Sequence, residues 1–213
     1  MIFILIAMKK SDARPRGRPR LLDRPKALET ALKLFWRHGY EGTSVADLTA
    51  AMGTTPPSLY AAFGSKERLY REAVDLYMES YGGFPASAFA EEPTARRAIE
   101  RILREAIALY SAGPKPRGCM LTTGALTCAP EHQDVANDLA RRRRAAIAAI
   151  KSRFDRAVVQ GELDVATDTA GLAAFYAAVI QGLSIQARDG VNRKELESIT
   201  QASLAAWPGK RSS

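Results

Sequence analysis

The sequence predicts an all-α protein, in which an N-terminal three-helix helix-turn-helix domain precedes a C-terminal helical bundle. Apolar residues recur three and four positions apart along most of the chain, and no stretch alternates apolar and polar residues as a strand would. Helix-capping residues and glycines stand at the ends of these periodic stretches. The length of 213 residues suits one or two domains, and 46% hydrophobic with 25% charged residues is typical of a globular protein.

The first three helices follow from local signals near the N-terminus. A helix is predicted over residues 24–38, and Gly39 ends it. Thr43 is predicted to cap a short second helix. A tight turn at Gly53 then leads to a third short helix that begins near Pro56. A helix, a short helix, a turn and another short helix form the helix-turn-helix plan.

The rest of the chain also reads as helix, with one interruption. Ser65 is predicted to cap a fourth helix that runs to about Tyr81, and residues 82–93 are predicted to form a linker or irregular joint. Thr94 caps the next helix, which Gly113 breaks. Further helices are predicted over residues 119–128, from Pro130 to about Gln160, from Thr167 or Asp168 to Arg188, and from Asn192 onwards.

Positive charge is concentrated at the start of the chain. The net charge is +8, and residues 9–20 carry six basic side chains against Asp12 alone. Such a segment is expected to stay disordered until it meets a polyanion. We therefore divide the chain into an arm (1–20), a helix-turn-helix domain (21–82) and a helical domain (83–213). Nucleic acid and an anionic membrane surface both remain open as partners, and the apolar run MIFILIAM is too short to span a membrane.

The helix-turn-helix region carries a family resemblance. The run FWRHGYEGTSVADLTAAMGTTPPSLYAAFGSKERLYREAV resembles the DNA-binding domain of the TetR family, with about ten landmarks at matching spacing. The resemblance implies a transcriptional regulator, usually a repressor, that binds palindromic operator DNA as a homodimer. Two cysteines make no disulfide framework, so a reducing cytoplasm is the expected location. The resemblance also implies that the C-terminal domain dimerises and binds a small-molecule effector that releases the DNA. The alternative is a helical protein held at a membrane surface by its basic arm.

The resemblance also suggests which residues contact DNA. Phosphate contacts are expected from Thr43 and Ser44, and contacts with base edges or the backbone are expected from Thr55, Pro56, Pro57 and Ser58 at the start of the third helix. Tyr60 and Lys66 are expected to hold phosphates, the alternatives being a core position for Tyr60 and a solvated side chain for Lys66. The third helix lacks Arg, Asn and Gln, so hydroxyls, thymine methyl groups or DNA shape must provide the readout. Four arm residues are expected to read a narrow A·T minor groove, the alternatives being an electrostatic tether or an unstructured tail: Arg14, Arg16, Arg18 and Arg20.

The C-terminal half holds the residues expected to pair protomers and to bind effector. Small and apolar residues on the last two helices are expected at the dimer interface, the alternative being packing within one protomer: Ala173, Ala177, Ile180, Ser184, Leu196, Ile199 and Ser203. Apolar residues with a few polar groups suit an effector pocket, the alternative being a plain core: Tyr110, Cys119, Thr122, Leu126, Arg143, Phe154, Phe175 and Tyr176. Helical periodicity puts Arg143 near the buried line, where it would meet a buried acid or an anionic effector, or else lie on a solvated face.

The sequence argues against an enzyme. It contains two histidines and no metal-spaced cluster, phosphate-binding loop or nucleophile motif, so no metal or cofactor is expected. Cys119 lies one residue after Gly118 and near Arg117, and it is either an inert buried thiol or a redox or electrophile sensor.

Overall fold

A computed structural model describes residues 22–111, 113 and 117–208. The basic arm, with its four predicted DNA-binding arginines, lies outside these ranges. Every regular element in the described residues is helical, which confirms the predicted fold class. The helices are α1 Arg24–His38, α2 Val45–Met52, α3 Pro56–Phe63, α4 Lys66–Ser80, α5 Phe84–Glu91, α6 Ala95–Ser111, α7 Met120–Thr123, a 3-10 helix Pro130–His132, α8 Gln133–Val159, α9 Thr169–Arg188 and α10 Arg193–Ala205.

Side-chain caps start most of these helices. Asp23 caps α1 by accepting a hydrogen bond from the backbone N–H of Lys26 (3.2 Å), and Ser65 caps α4 as predicted. Ser44, not Thr43, caps α2, so the prediction for Thr43 is wrong. The Thr43 side chain is buried, and its hydroxyl donates to the carbonyl of Gly39 (2.8 Å).

Three predicted boundaries differ from the structure. Residues 82–93 are not an irregular joint, because α5 occupies most of them. Pro85 lies in the first turn of α5, where a missing backbone N–H breaks no helical bond. The helix predicted over residues 119–128 is only the four residues of α7, and Gly124 follows it. Pro130 opens a 3-10 turn, so α8 begins three residues later than predicted.

Aromatic side chains form the core between α1 and α4. Trp36 packs edge-on against Tyr77, and Phe35 packs edge-on against Tyr70, each pair with ring centroids 4.9 Å apart. All four side chains are at most 2% exposed. This packing fixes the helix-turn-helix to the long helix α4, which continues towards the bundle of α6, α8, α9 and α10.

A short segment, Gly118–Gly124, joins the helix-turn-helix to the bundle, and we call it the bridging segment. The indole N–H of Trp36 donates to the carbonyl of Gly118 (2.9 Å), and the backbone N–H of Tyr40 donates to the carbonyl of Gly124 (2.8 Å). The bridging segment includes α7 and packs against α4, α8 and α9. The end of α1 is therefore hydrogen-bonded directly to the C-terminal half.

Candidate nucleic-acid interface

Helix α3 exposes one face to solvent. Its inner residues Leu59 and Phe63 are at most 2% exposed, and they pack into the core. Its outer residues Pro57, Tyr60 and Ala61 are exposed, with 44% of Tyr60 accessible. The exposure of Tyr60 argues against a core role for its ring. No described part of the chain covers this face, so α3 is free to enter a DNA groove.

The N-terminus of α3 differs from an ordinary anion-binding helix end. Pro56 and Pro57 occupy its first two positions and have no backbone N–H, so they offer no donor to a phosphate. Thr55 caps the helix, and its hydroxyl oxygen lies 3.0 Å from that of Ser58. The leading edge of α3 is therefore two proline rings beside two paired hydroxyls. Such a surface suits thymine methyl groups and one or two hydrogen bonds better than guanine.

The starts of α2 and α4 are better placed to bind phosphate. Helix α2 begins with a capping box, in which Ser44 accepts from the backbone N–H of Asp47 (3.0 Å) and the Asp47 carboxylate accepts from the N–H of Ser44 (2.9 Å). At α4, Ser65 accepts from the N–H of Arg68 (3.2 Å). The first N–H groups of each helix have no intrahelical partner and carry the positive end of the dipole. The Thr43 side chain is buried and its hydroxyl donates to the carbonyl of Gly39, so its contact with a phosphate stays a prediction.

Lys66, a predicted phosphate contact, is engaged within the protein. Its ammonium lies 4.2 Å from the centroid of the Tyr40 ring, in a cation–π contact. Burial lowers the pKa of Lys66, although the carboxylates of Glu41 and Glu67 favour its charged form. The side chain is half-buried, so its contact with DNA stays a prediction.

A polar cluster beside Lys66 connects the helix-turn-helix to the 3-10 helix. The Glu41 carboxylate accepts from the backbone N–H of Ala129 (3.0 Å) and lies 2.9 Å from Nδ1 of His132. The hydroxyl of Tyr40 donates to the Glu67 carboxylate (2.8 Å). Burial raises the pKa of Tyr40, and the bond to Glu67 raises it further. Sequence reasoning missed this cluster because its members are far apart in the chain.

Comparison with known proteins identifies the family. Residues 27–73 match the family model described as bacterial regulatory proteins, tetR family. The chain is 36% identical over 194 residues to the HTH-type transcriptional repressor ComR of Escherichia coli K12, covering 91% of this chain and 92% of that protein. The chain belongs to the TetR family. It is also 31% identical over 187 residues to the repressor BdcR of the same organism, covering 88% of this chain and 90% of that protein.

A solved TetR-family structure shares the whole fold. The regulator CifR, as a cysteine mutant in complex with 26-bp operator DNA, is 43% identical, has a TM-score of 0.86, and covers 90% of this chain and 100% of that chain. The sequence-based assignments to this family and to transcriptional regulators, rather than enzymes, are confirmed.

The TetR-family bundle contains a cavity of about 310 Å³ between α4, α5, α6, α7, α8 and α9. Most of its wall is apolar, and the polar side chains in it are Tyr77, Tyr110, Cys119, Thr122, Arg143 and Gln181. Four of the eight predicted pocket residues are among them. A volume near the lower end of ligand pockets, about 300–1,000 Å³, suits a small organic molecule.

The structure places the other four predicted pocket residues elsewhere. Leu126 is 57% exposed, and Phe175 is 40% exposed on the outer face of α9. Phe154 and Tyr176 are buried against Trp207, with ring centroids 5.5 and 5.7 Å from it. They belong to the packing between α8, α9 and the C-terminal end of α10, beyond the cavity.

Sequence reasoning missed the part of the cavity wall that α5 supplies. Phe84, Pro85 and Phe89 line the cavity, and all lie in the stretch predicted as a joint. The two phenylalanines in this stretch indicate a buried helix, because large apolar side chains in a short stretch usually cover a core. Tyr77 also lines the cavity from α4, the helix that supports the helix-turn-helix.

Most residues predicted at the dimer interface pack against other residues of the same protomer, which favours the alternative of internal packing. The buried ones, at most 6% exposed, are Ala173, Ala177, Ser184, Leu196 and Ser203. The Ser184 hydroxyl accepts from the backbone N–H of Cys119 (2.8 Å). Ile180 lines the cavity, and Ile199 packs against the core.

The outer face of α9 is apolar and open to solvent. Phe175, Ala178 and Ile185 are exposed, Ile185 by 43%. Helix α9 is apolar along most of its length, and only 33% of its most apolar stretch is buried. By length and composition alone α9 could cross a membrane, although core helices of soluble proteins are often as long and as apolar.

Proposed function

We propose that this TetR-family regulator is a repressor that binds palindromic operator DNA as a homodimer and leaves the DNA when a small molecule occupies its cavity. The uncovered outer face of α3 carries this proposal. The relatives ComR and BdcR are named as repressors, and CifR is described with operator DNA, which supports the repressor role and the binding of operator DNA.

The composition of α3 suggests how it reads the operator. Its outward side chains, Pro57, Tyr60 and Ala61, lie beside the paired hydroxyls of Thr55 and Ser58. Without Arg, Asn or Gln, this face favours thymine methyl groups and the shape of the groove over guanine contacts. The starts of α2 and α4 hold the flanking phosphates in this proposal.

Homodimerisation rests on the outer face of α9. One α3 reads a single half-site, so a palindrome needs two protomers whose reading helices lie about one DNA turn apart, or a multiple of it. Phe175, Ala178, Gly182 and Ile185 share the exposed face of α9, where small residues permit close approach to the same helix of a second copy. A self-complementary helical face is what a two-fold dimer requires.

The experiment replaces an exposed alanine on α3 with an acidic residue. Selection from a random DNA pool supplies the operator, and fluorescence anisotropy gives its Kd. We expect Ala61→Glu to weaken binding at least about tenfold, because its carboxylate would face the DNA phosphates. Ala90→Glu on α5 adds the same charge at an exposed position outside the helix-turn-helix and should bind normally. Equal Kd values for the two variants would refute the placement of α3 in the groove.

The basic arm is tested separately by deleting residues 1–20. If its arginines contact phosphates or the minor groove, the truncated protein binds the operator more weakly and its affinity depends less steeply on salt. An unchanged slope contradicts a role for the arm in DNA binding. Loss of binding to anionic lipid vesicles, with operator binding intact, would instead support the membrane-surface alternative.

A further inference from the structure

Arg143 differs from its three arginine neighbours on α8. Arg141 and Arg142 both form salt bridges with Asp138, and Arg144 is exposed. Arg143 reaches the cavity wall, where one nitrogen, Nη1, donates to the carbonyl of Leu121 (2.8 Å). No acidic side chain in the described ranges forms a salt bridge with it. Burial lowers the pKa of Arg143, which is the expected effect of a cation without a neutralising partner.

The rest of the polar wall also favours an anion. The described residues of the wall contain no Asp or Glu. Tyr77 and Tyr110 are at most 3% exposed, and burial raises the pKa of both, so their hydroxyls stay neutral. A half-buried cation beside an apolar space costs free energy unless an anion neutralises it. Of the alternatives that the sequence left open for Arg143, a position at the cavity wall without a paired acid among the described residues favours an anionic ligand.

We propose that the cavity binds a small apolar carboxylic acid as its anion, with the carboxylate on the guanidinium of Arg143. This inference rests on the proposed role of the cavity as the effector site and names the chemical class of the effector. The guanidinium can form two parallel hydrogen bonds to a carboxylate. The hydrocarbon part of the ligand lies against Phe84, Phe89 and Ile150, which line the apolar remainder of the cavity.

The position of Arg143 also suggests how a ligand in the cavity would affect the DNA-binding region. A carboxylate that binds the edge of the guanidinium containing Nη1 competes with the Leu121 carbonyl for that nitrogen. Leu121 lies in the bridging segment, whose two ends accept hydrogen bonds from Trp36 in α1 and from Tyr40 just after it. Release of Leu121 therefore loosens the segment that fixes α1, and with it the position of α3.

The experiment compares acids with their neutral amides. Hexanoate, octanoate, benzoate and 4-phenylbutyrate are each paired with the matching primary amide, and calorimetric titration of the full chain gives Kd. We expect at least one acid to bind roughly 10- to 100-fold more tightly than its amide, the range for hydrogen bonds to a charged group. Arg143→Met should abolish this preference. Arg104→Met removes an exposed arginine outside the cavity and should retain it.

The possible results separate this inference from the proposed function. Equal affinity of every acid and its amide for the unmodified protein, including no binding of either, overturns the carboxylate site. An acid preference that survives Arg143→Met, in a variant with unchanged helical content and thermal midpoint, also overturns it. An acid that binds through Arg143 without changing operator affinity supports the carboxylate site and refutes effector-driven release. Failure of the ligand-free protein to bind selected DNA refutes the proposed function independently of any ligand.

Discussion

The junction between the helix-turn-helix and the bundle depends on a position that only glycine fits. Gly39 ends α1 with φ 75° and ψ 177°, a conformation essentially restricted to glycine. A Cβ there would lie 3.0 Å from the carbonyl oxygen of Gly124, which already accepts the backbone N–H of Tyr40 (2.8 Å). Backbone strain of about 1–3 kcal/mol and the crowded contact together lead us to expect Gly39→Ala to lower the free energy of unfolding by about 2–4 kcal/mol.

Gly53 provides the matched control. It also has a positive φ, 63° with ψ 38°, but this is the ordinary left-handed region, and a Cβ there would meet nothing within 4 Å. Gly53→Ala should therefore cost only about 1 kcal/mol. Urea unfolding at one fixed protein concentration measures both variants, because the stability of any protein that associates depends on concentration. Equal losses from the two substitutions would refute the role assigned to the contact with the bridging segment.

Three further changes have distinct expected outcomes. Ser44→Ala removes the cap of α2, so we expect a stability loss of about 1 kcal/mol in urea unfolding, and full stability would contradict the capping role. Ile185→Glu puts a charge on the outer face of α9, and sedimentation should find monomers. Ser198→Glu, at an exposed position on α10, should remain dimeric. A dimeric Ile185→Glu variant would rule out this face as the dimer interface. Burial raises the pKa of Glu41, but hydrogen bonds from a backbone N–H and from His132 outweigh it and hold the pKa below its ordinary value of 4.5. The stability that the ionised Glu41 carboxylate provides is therefore present above its ordinary pKa and is lost as the pH falls through the lowered pKa. Thermal midpoints of Glu41→Gln should consequently fall less steeply in acid than those of the unmodified protein.

Local signals explain why most helices could be predicted from the sequence. The bounds of α1 follow from a Pro in its first turn and Gly39 after its end, and the structure has the same bounds as the prediction. The starts of α4 and α10 follow in the same way from Ser65 and Asn192, whose side chains accept from backbone N–H groups three residues later. These interactions lie within one turn of helix, so no knowledge of the tertiary fold is needed to find them.

The cavity could be predicted only in part, because its extent depends on how helices cross. Ile150 and Phe154 share one face of α8, yet Ile150 lines the cavity and Phe154 packs against Trp207 one turn later. Sequence spacing identifies the shared face but not the point at which a neighbouring helix closes the space. Phe175 and Tyr176 are adjacent in α9, and a rotation of about 100° separates the exposed ring from the buried one.

The bridging segment contacts both the cavity arginine and the end of the first helix, so no long chain of contacts is needed to couple the cavity to the DNA-binding region. At the two ends of the bridging segment, Gly118 accepts from Trp36 in α1 and Gly124 accepts from Tyr40, just after α1. Between them, the carbonyl of Leu121 accepts from the cavity arginine. A shift of the middle of so short a segment must therefore lengthen one of the end bonds or carry α1 with it. Arg188 adds a third constraint, since its guanidinium reaches from α9 to the carbonyl of Arg37 (2.6 Å) at the end of α1. If α9 pairs protomers, a shift of this end of α1 would change the position of each α3 relative to its mate, and a ligand in the cavity would act there on the distance between the two reading helices.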